Sequence, residues 1–141
     1  QLSKRILYVE DNPNNVLLVQ RILNAEGHQL LVARDAAAGW QTAVTHQPDL
    51  ILMDLHLPGE LNGLELTQRL KQEPTLQHIP IVALTAHDSV EVETAALAAG
   101  CSGFLHKPAD LRQIRQTLHT FLNGEGTAVA AQSAAPIYAF I

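Results

Sequence analysis

A doubly wound α/β fold, with helices covering both faces of a parallel sheet, is predicted for this 141-residue chain by three features. Short apolar runs alternate with segments of helical periodicity, strand then helix, five times over. The runs carry almost no polar alternate, which is the pattern of strands buried on both faces. Glycine, proline or a cap-forming side chain stands at nearly every boundary between the two kinds of segment.

The first run, Ile6-Leu7-Tyr8-Val9, stops at Glu10-Asp11-Asn12-Pro13, where Asn12 and Pro13 suit a helix start. From Asn14 to Ala25, Val16, Leu17, Val19, Ile22 and Leu23 recur with helical spacing, and Glu26-Gly27 marks the stop. Gln29–Ala33 is the second strand. Asp35 caps an Ala-rich helix over 36–46, and Gln47-Pro48 interrupts before the third strand, Leu50–Met53, which leads into Asp54. A loop with Pro58, Gly59 and Gly63 precedes a helix over 64–72 that turns Leu64, Leu66 and Leu70 inward. Pro80–Thr85 is the fourth strand, and Asp88 or Ser89 caps a helix ending at Ala99-Gly100. Ser102–His106 is a weaker fifth strand, stopped by Lys107-Pro108, and Asp110 caps a last helix to about Leu122.

Bulk composition narrows the function. The chain is 47% hydrophobic and 16% charged, which suits one domain with a real core, over 1–122, plus a tail over 123–141. Nine Lys and Arg against fourteen Asp and Glu give a net charge of −5, with no basic block to track a phosphate backbone, so no direct nucleic-acid partner is expected. A divalent cation or a basic protein surface fits better. One cysteine, Cys101, rules out an internal disulfide, and no run is apolar enough for membrane insertion, so a cytoplasmic location is expected. Residue 1 is Gln rather than Met, which points to a processed chain or an excised piece of a longer one.

In doubly wound sheets ligands sit outside the carboxyl ends of the strands. Those ends carry Glu10-Asp11, Asp54, Thr85 and Lys107. Three carboxylates at one edge repel, each pair at about 4 Å costing roughly 4 kcal/mol at an effective dielectric near 20. A hard divalent cation offsets that, and Mg²⁺ favours one or two carboxylates, several waters and often a phosphoryl oxygen. Lys107 could hold one acid in a structural ion pair. Three acids, a lysine and a hydroxyl together suggest incoming negative charge, such as a phosphoryl group accepted by a carboxylate nucleophile.

With VEDNP, LILMDLHLPGELNGLEL, PIVALTA and GFLHKP in order, the chain resembles a receiver domain of the two-component response-regulator family over roughly residues 4–122. The resemblance implies a flavodoxin-like (βα)5 three-layer sandwich with strand order 2-1-3-4-5. It implies Asp54 as phosphoacceptor from a sensor histidine kinase or phosphotransfer protein. Asp11, Asp54 and the His56 backbone carbonyl would ligate Mg²⁺ or Mn²⁺, with Glu10 acting largely through water. Thr85, Lys107 and the Ala86 backbone N–H would bind phosphoryl oxygens, and the Lys107-Pro108 bond would be cis. The downstream target would meet the fourth helix, fifth strand and fifth helix. The segment Gly59–Gly63 is one residue longer than the commonest family spacing, which suggests a local bulge.

Phe104, three residues before Lys107, is read both as a core aromatic and as the switch aromatic that turns inward when Thr85 is drawn to phosphate. His56 and His87 lie two residues after Asp54 and Thr85, either as solvated loop histidines or as residues that tune the lifetime of the acyl phosphate. Cys101 reads as a small buried residue. The Ala-rich segment after Asn123 reads as a linker, and its apolar end, IYAFI, suits docking on this domain or on a second copy as a homodimer. No DNA-binding domain follows residue 122, so output would be by protein contact or by sequence outside this chain. The alternative reading is a Mg²⁺-dependent phosphohydrolase with an aspartyl-phosphate intermediate, which would want a second acid where this chain has His56. A flavodoxin would want a hydroxyl-rich loop where it has Glu10-Asp11-Asn12-Pro13.

Overall fold

The computed structural model describes residues 3–57, 62–86, 90–106 and 111–122. Pro58, Gly59, His87, Asp88, Ser89, Lys107, Pro108, Asp110 and the tail over 123–141 lie outside the described residues, and with them the cis bond, two caps and the longer loop.

The elements run β1 Arg5–Val9, α1 Pro13–Glu26, β2 Gln29–Ala33, α2 Ala36–His46, β3 Leu50–Asp54, α3 Gly63–Gln72, β4 Ile81–Thr85, α4 Val90–Ala99, β5 Gly103–His106 and α5 Leu111–Leu122. All neighbouring strands are parallel, and the sheet order is β2-β1-β3-β4-β5. The chain therefore reverses direction of winding at β1 and β3, and the tips of these two strands form the switch point.

Strand alternation sorts the core into two layers. Ile6, Tyr8, Leu50, Leu52, Val82, Leu84 and Leu105 pack against Val19, Ile22 and Leu23 of α1 and Ile114, Leu118 and Phe121 of α5. On the other face Leu7, Val9, Ile51, Met53, Ile81, Ala83 and Phe104 meet Ala36 and Ala43 of α2, Leu66 and Leu70 of α3 and Ala96 of α4. Each side chain pointing one way has its neighbour pointing the other, as a period of two requires.

Local chemistry sets the helix ends. The Asn12 side chain accepts the Asn14 N–H at 2.9 Å, Pro13 opens α1, and Gly27 closes it at φ 78°, where a Cβ would be strained. Asp35 caps α2 through the Ala38 N–H at 2.8 Å. Two expectations need correction. Leu17 is half exposed, because the buried stripe of α1 runs through Val19, Ile22 and Leu23 instead. Strand β2, at one of the two edges of the sheet, is only partly covered: Leu30 and Leu31 are half-buried and Val32 is exposed.

Candidate functional site

The tips of β1 and β3 lie side by side, so the residues at their ends meet. One carboxylate oxygen each from Glu10, Asp11 and Asp54 lies within 4.8 Å of the others. Glu10 and Asp54 are buried, at 1% and 3% exposure, while Asp11 faces solvent.

Glu10 is tightly held. Its backbone N–H extends the ladder to the Ala33 carbonyl at 2.8 Å. Its Oε1 accepts from the Tyr8 hydroxyl at 2.9 Å and the Asn15 amide at 3.1 Å, and Oε2 accepts from the Asn12 N–H at 3.3 Å. Donors of this kind let a carboxylate stay charged away from water. Burial, then the charge of Glu10 and the bond to it, push the Tyr8 phenol far above its ordinary range, so it is a permanent donor. These supporting residues were not anticipated. Tyr8 was legible, because residues two apart on a strand share a face.

Asp54 is fixed from two sides. Its Oδ1 accepts the His56 N–H at 3.0 Å, and the following Leu55 N–H bonds the Leu84 carbonyl at 3.1 Å. Gly63, the first residue of α3, sits directly behind it. A Cβ there would overlap the Asp54 carbonyl oxygen and come within 2.9 Å of the Leu55 Cα. Only glycine allows that approach.

Thr85 closes β4 beside β3 and is wholly buried. The His56 Nε2 lies 3.1 Å from its Oγ1, a contact between residues 29 apart that no local pattern signals. Ala86 follows at the exposed edge. Phe104 is wholly buried on the α3 and α4 side, with the His106 ring edge-on at 5.1 Å. Lys107 and His87 lie outside the described residues. Beside the acids opens a cleft of about 480 Å³, polar at Asp11, His56 and Asn62 and apolar at Leu55, Leu57, Leu64 and Val92.

The donor set fits a hard divalent cation, since it offers anionic oxygens and no sulfur. Glu10 already receives bonds on both oxygens, whereas Asp11 lies at the solvent-facing side of the cluster. The position two beyond Asp54, where a phosphohydrolase would place its second acid, carries His56.

A parallel 2-1-3-4-5 sheet with clustered acids at the β1 and β3 tips defines a flavodoxin-like domain with a candidate cation site. Residues 6–132 match the family model described as the response regulator receiver domain, and the chain belongs to that family, the receivers of two-component signalling. It is 35% identical over 121 residues to the polar-differentiation response regulator DivK of Brucella ovis, covering 86% of this chain and 98% of that one. The crystal structure of the receiver domain of the sensor histidine kinase PA1611 from Pseudomonas aeruginosa has a magnesium ion coordinated in its active-site cleft. It superposes with a TM-score of 0.79 at 29% identity, covering 86% of this chain and 99% of that chain. The Mn²⁺-bound form of response regulator Rcp1 gives 0.72 at 31% identity, over 84% and 93%. Receiver domains interact with histidine kinases and phosphotransfer proteins. No described helix is long and apolar enough to cross a membrane.

Proposed function

We propose that Asp54 is the phosphoacceptor, and that Asp11, Asp54 and the His56 backbone carbonyl hold Mg²⁺ or Mn²⁺ with Glu10 bound through water. The observation that carries this reading is the convergence of Glu10, Asp11 and Asp54 within 4.8 Å, next to the buried hydroxyl-bearing tip of β4. When bound, the metal supplies positive charge that neutralises carboxylate and phosphoryl oxygens.

An Asp54 carboxylate oxygen attacks the phosphorus of a phosphohistidine on a kinase or phosphotransfer protein. The new O–P bond forms as the N–P bond breaks, and the electron pair leaves on the imidazole nitrogen, which takes a proton from solvent. The His56 N–H holds the second side of Asp54 in place throughout. Thr85, the Ala86 N–H and Lys107 take the phosphoryl oxygens. Loss of the group is the reverse displacement by water, which returns the Asp54 carboxylate and free phosphate. Beyond this self-phosphorylation and self-dephosphorylation the domain is a switch. Phe104, on the face next to α4, carries the change to a protein partner at α4, β5 and α5 or to a second copy.

The test is intact mass after incubation with acetyl phosphate and Mg²⁺. The wild-type chain gains one phosphoryl group and Asp54→Asn gains none; undiminished labelling of Asp54→Asn overturns the assignment. Decay of the same increment reads the lifetime that we assign to His56 and His87. A decay unchanged in His56→Asn and His87→Glu variants counts against that role.

A further inference from the structure

His56 uses its backbone and its side chain on different partners. Its N–H donates to Asp54 Oδ1 at 3.0 Å, and its Nε2 lies 3.1 Å from Thr85 Oγ1. His56 is exposed and Thr85 is wholly buried, so a ring from outside reaches in to a hydroxyl at the tip of β4. The Thr85 hydroxyl is thereby turned toward the Asp54 turn by a residue of that same turn. Strand alternation puts Thr85 on the face of Ile81 and Ala83, and Phe104 pairs with Ala83 and is buried on that face.

We infer that His56 is a positioning residue: its imidazole clamps the Thr85 hydroxyl over the phosphoacceptor turn before any phosphoryl group arrives. The resting domain then already holds part of its engaged arrangement. This rests on the roles of Asp54 and Thr85 proposed above and adds a residue to them.

The direction of the hydrogen bond decides whether the ring helps or hinders. A threonine hydroxyl has one proton and two lone pairs. A ring that donates from Nε2–H occupies one lone pair and makes no demand on the O–H, so a phosphoryl oxygen need not displace it. A ring with a bare Nε2 would consume the O–H, and the phosphoryl group would have to displace it. Nε2 carries its proton in the intrinsically favoured neutral tautomer of an exposed imidazole and again in the imidazolium. In the proposed clamp the ring is the donor, the arrangement in which it cooperates with phosphorylation. Its weight is that of one net hydrogen bond, about fivefold in a population or an affinity.

The experiment is NMR of the full chain with labelled threonine methyls and phenylalanine rings, titrated with beryllofluoride and Mg²⁺ in wild type, His56→Ala and His56→Gln. In resting His56→Ala the Thr85 and Phe104 signals move away from their beryllofluoride-bound positions, and beryllofluoride binds about fivefold more weakly. Glutamine, which offers an amide N–H at comparable reach, restores both. Loss of packing alone would not displace the resting signals along that line, nor be repaired by glutamine. Signals that move toward the bound positions, with tighter binding, overturn the proposal by making the ring a competitor. Unchanged signals and affinity overturn it by making the contact idle. A wild-type chain that shows no beryllofluoride response and takes no label from acetyl phosphate brings down the phosphoacceptor reading itself; a normal wild-type response beside an indifferent His56→Ala brings down the clamp alone.

Discussion

Glu10 is a carboxylate almost wholly removed from water, and Tyr8, Asn12 and Asn15 each donate a hydrogen bond to it there. Cys101 shows the opposite solution, burial of a group that stays neutral. Burial pushes its thiol up to about 11 from an ordinary 9.0, with the Thr67 bond and the Lys71 charge pulling the other way. Below pH 9 folded and unfolded chains both hold the proton. Between 9 and 11 the unfolded chain gives it up first, so stability falls as pH rises through that window, by up to about 3 kcal/mol for a shift of this size. Tyr8, also raised, adds a loss of the same sign at higher pH, and Lys71, lowered chiefly by burial, works against it. The expected outcome is that Cys101→Ala flattens the pH dependence of urea-unfolding stability between 9 and 11. A pH-independent packing loss cancels in that comparison, and equal slopes in the two proteins would refute it.

The start of α3 is where local and tertiary demands meet. Asn62 accepts the Glu65 N–H at 2.9 Å while Glu65 returns a bond to the Asn62 N–H at 3.2 Å, a reciprocal capping box. The helix so fixed presses Gly63 against the Asp54 carbonyl. Asn62→Ala is expected to cost about 1 kcal/mol, read as a lower urea midpoint at unchanged m-value, and Asn62→Asp to retain most of it. An unshifted Asn62→Ala midpoint would show the cap to be dispensable. The same element marks a limit of the sequence. Apolar periodicity placed the helix at 64–72, because a glycine beside a loop reads as loop; the Asn62–Glu65 capping box is what makes Gly63 its first residue, and the close approach of Gly63 to Asp54 is recorded by no local pattern. Helix α2, by contrast, was legible to the residue at 36–46, since Asp35 supplies its cap and Pro48 bars its continuation past Gln47. Leu17 misled because spacing alone does not say which of several apolar residues faces the sheet.

Across the whole molecule, alternation of strand and helix was enough for the class of fold, and strand ends were enough to nominate Glu10, Asp11, Asp54 and Thr85. Strand order came from family resemblance, because nothing in periodicity says which strand lies beside which. Tyr8 supports Glu10 from two residues away on the same face, which a sequence can show, whereas the approach of Gly63 to the Asp54 carbonyl depends on how α3 packs and became visible only in three dimensions. The sheet thus gathers negative charge at one edge, at a cost to the metal-free fold. Mg²⁺ binding only the folded chain should therefore stabilise it, by about 1.4 kcal/mol at ten times its dissociation constant, or about 5 °C in thermal midpoint for a chain of this length. Asp11→Asn should behave in the reverse sense on both counts. Without metal it melts above wild type, because one repelling charge is gone, and with Mg²⁺ it gains little, because an acid able to approach the ion directly is gone. Calorimetric scans of both proteins with EDTA and with Mg²⁺ decide it: a wild-type midpoint indifferent to Mg²⁺, or an Asp11→Asn midpoint that rises as far as wild type's, would separate the acidic cluster from metal binding.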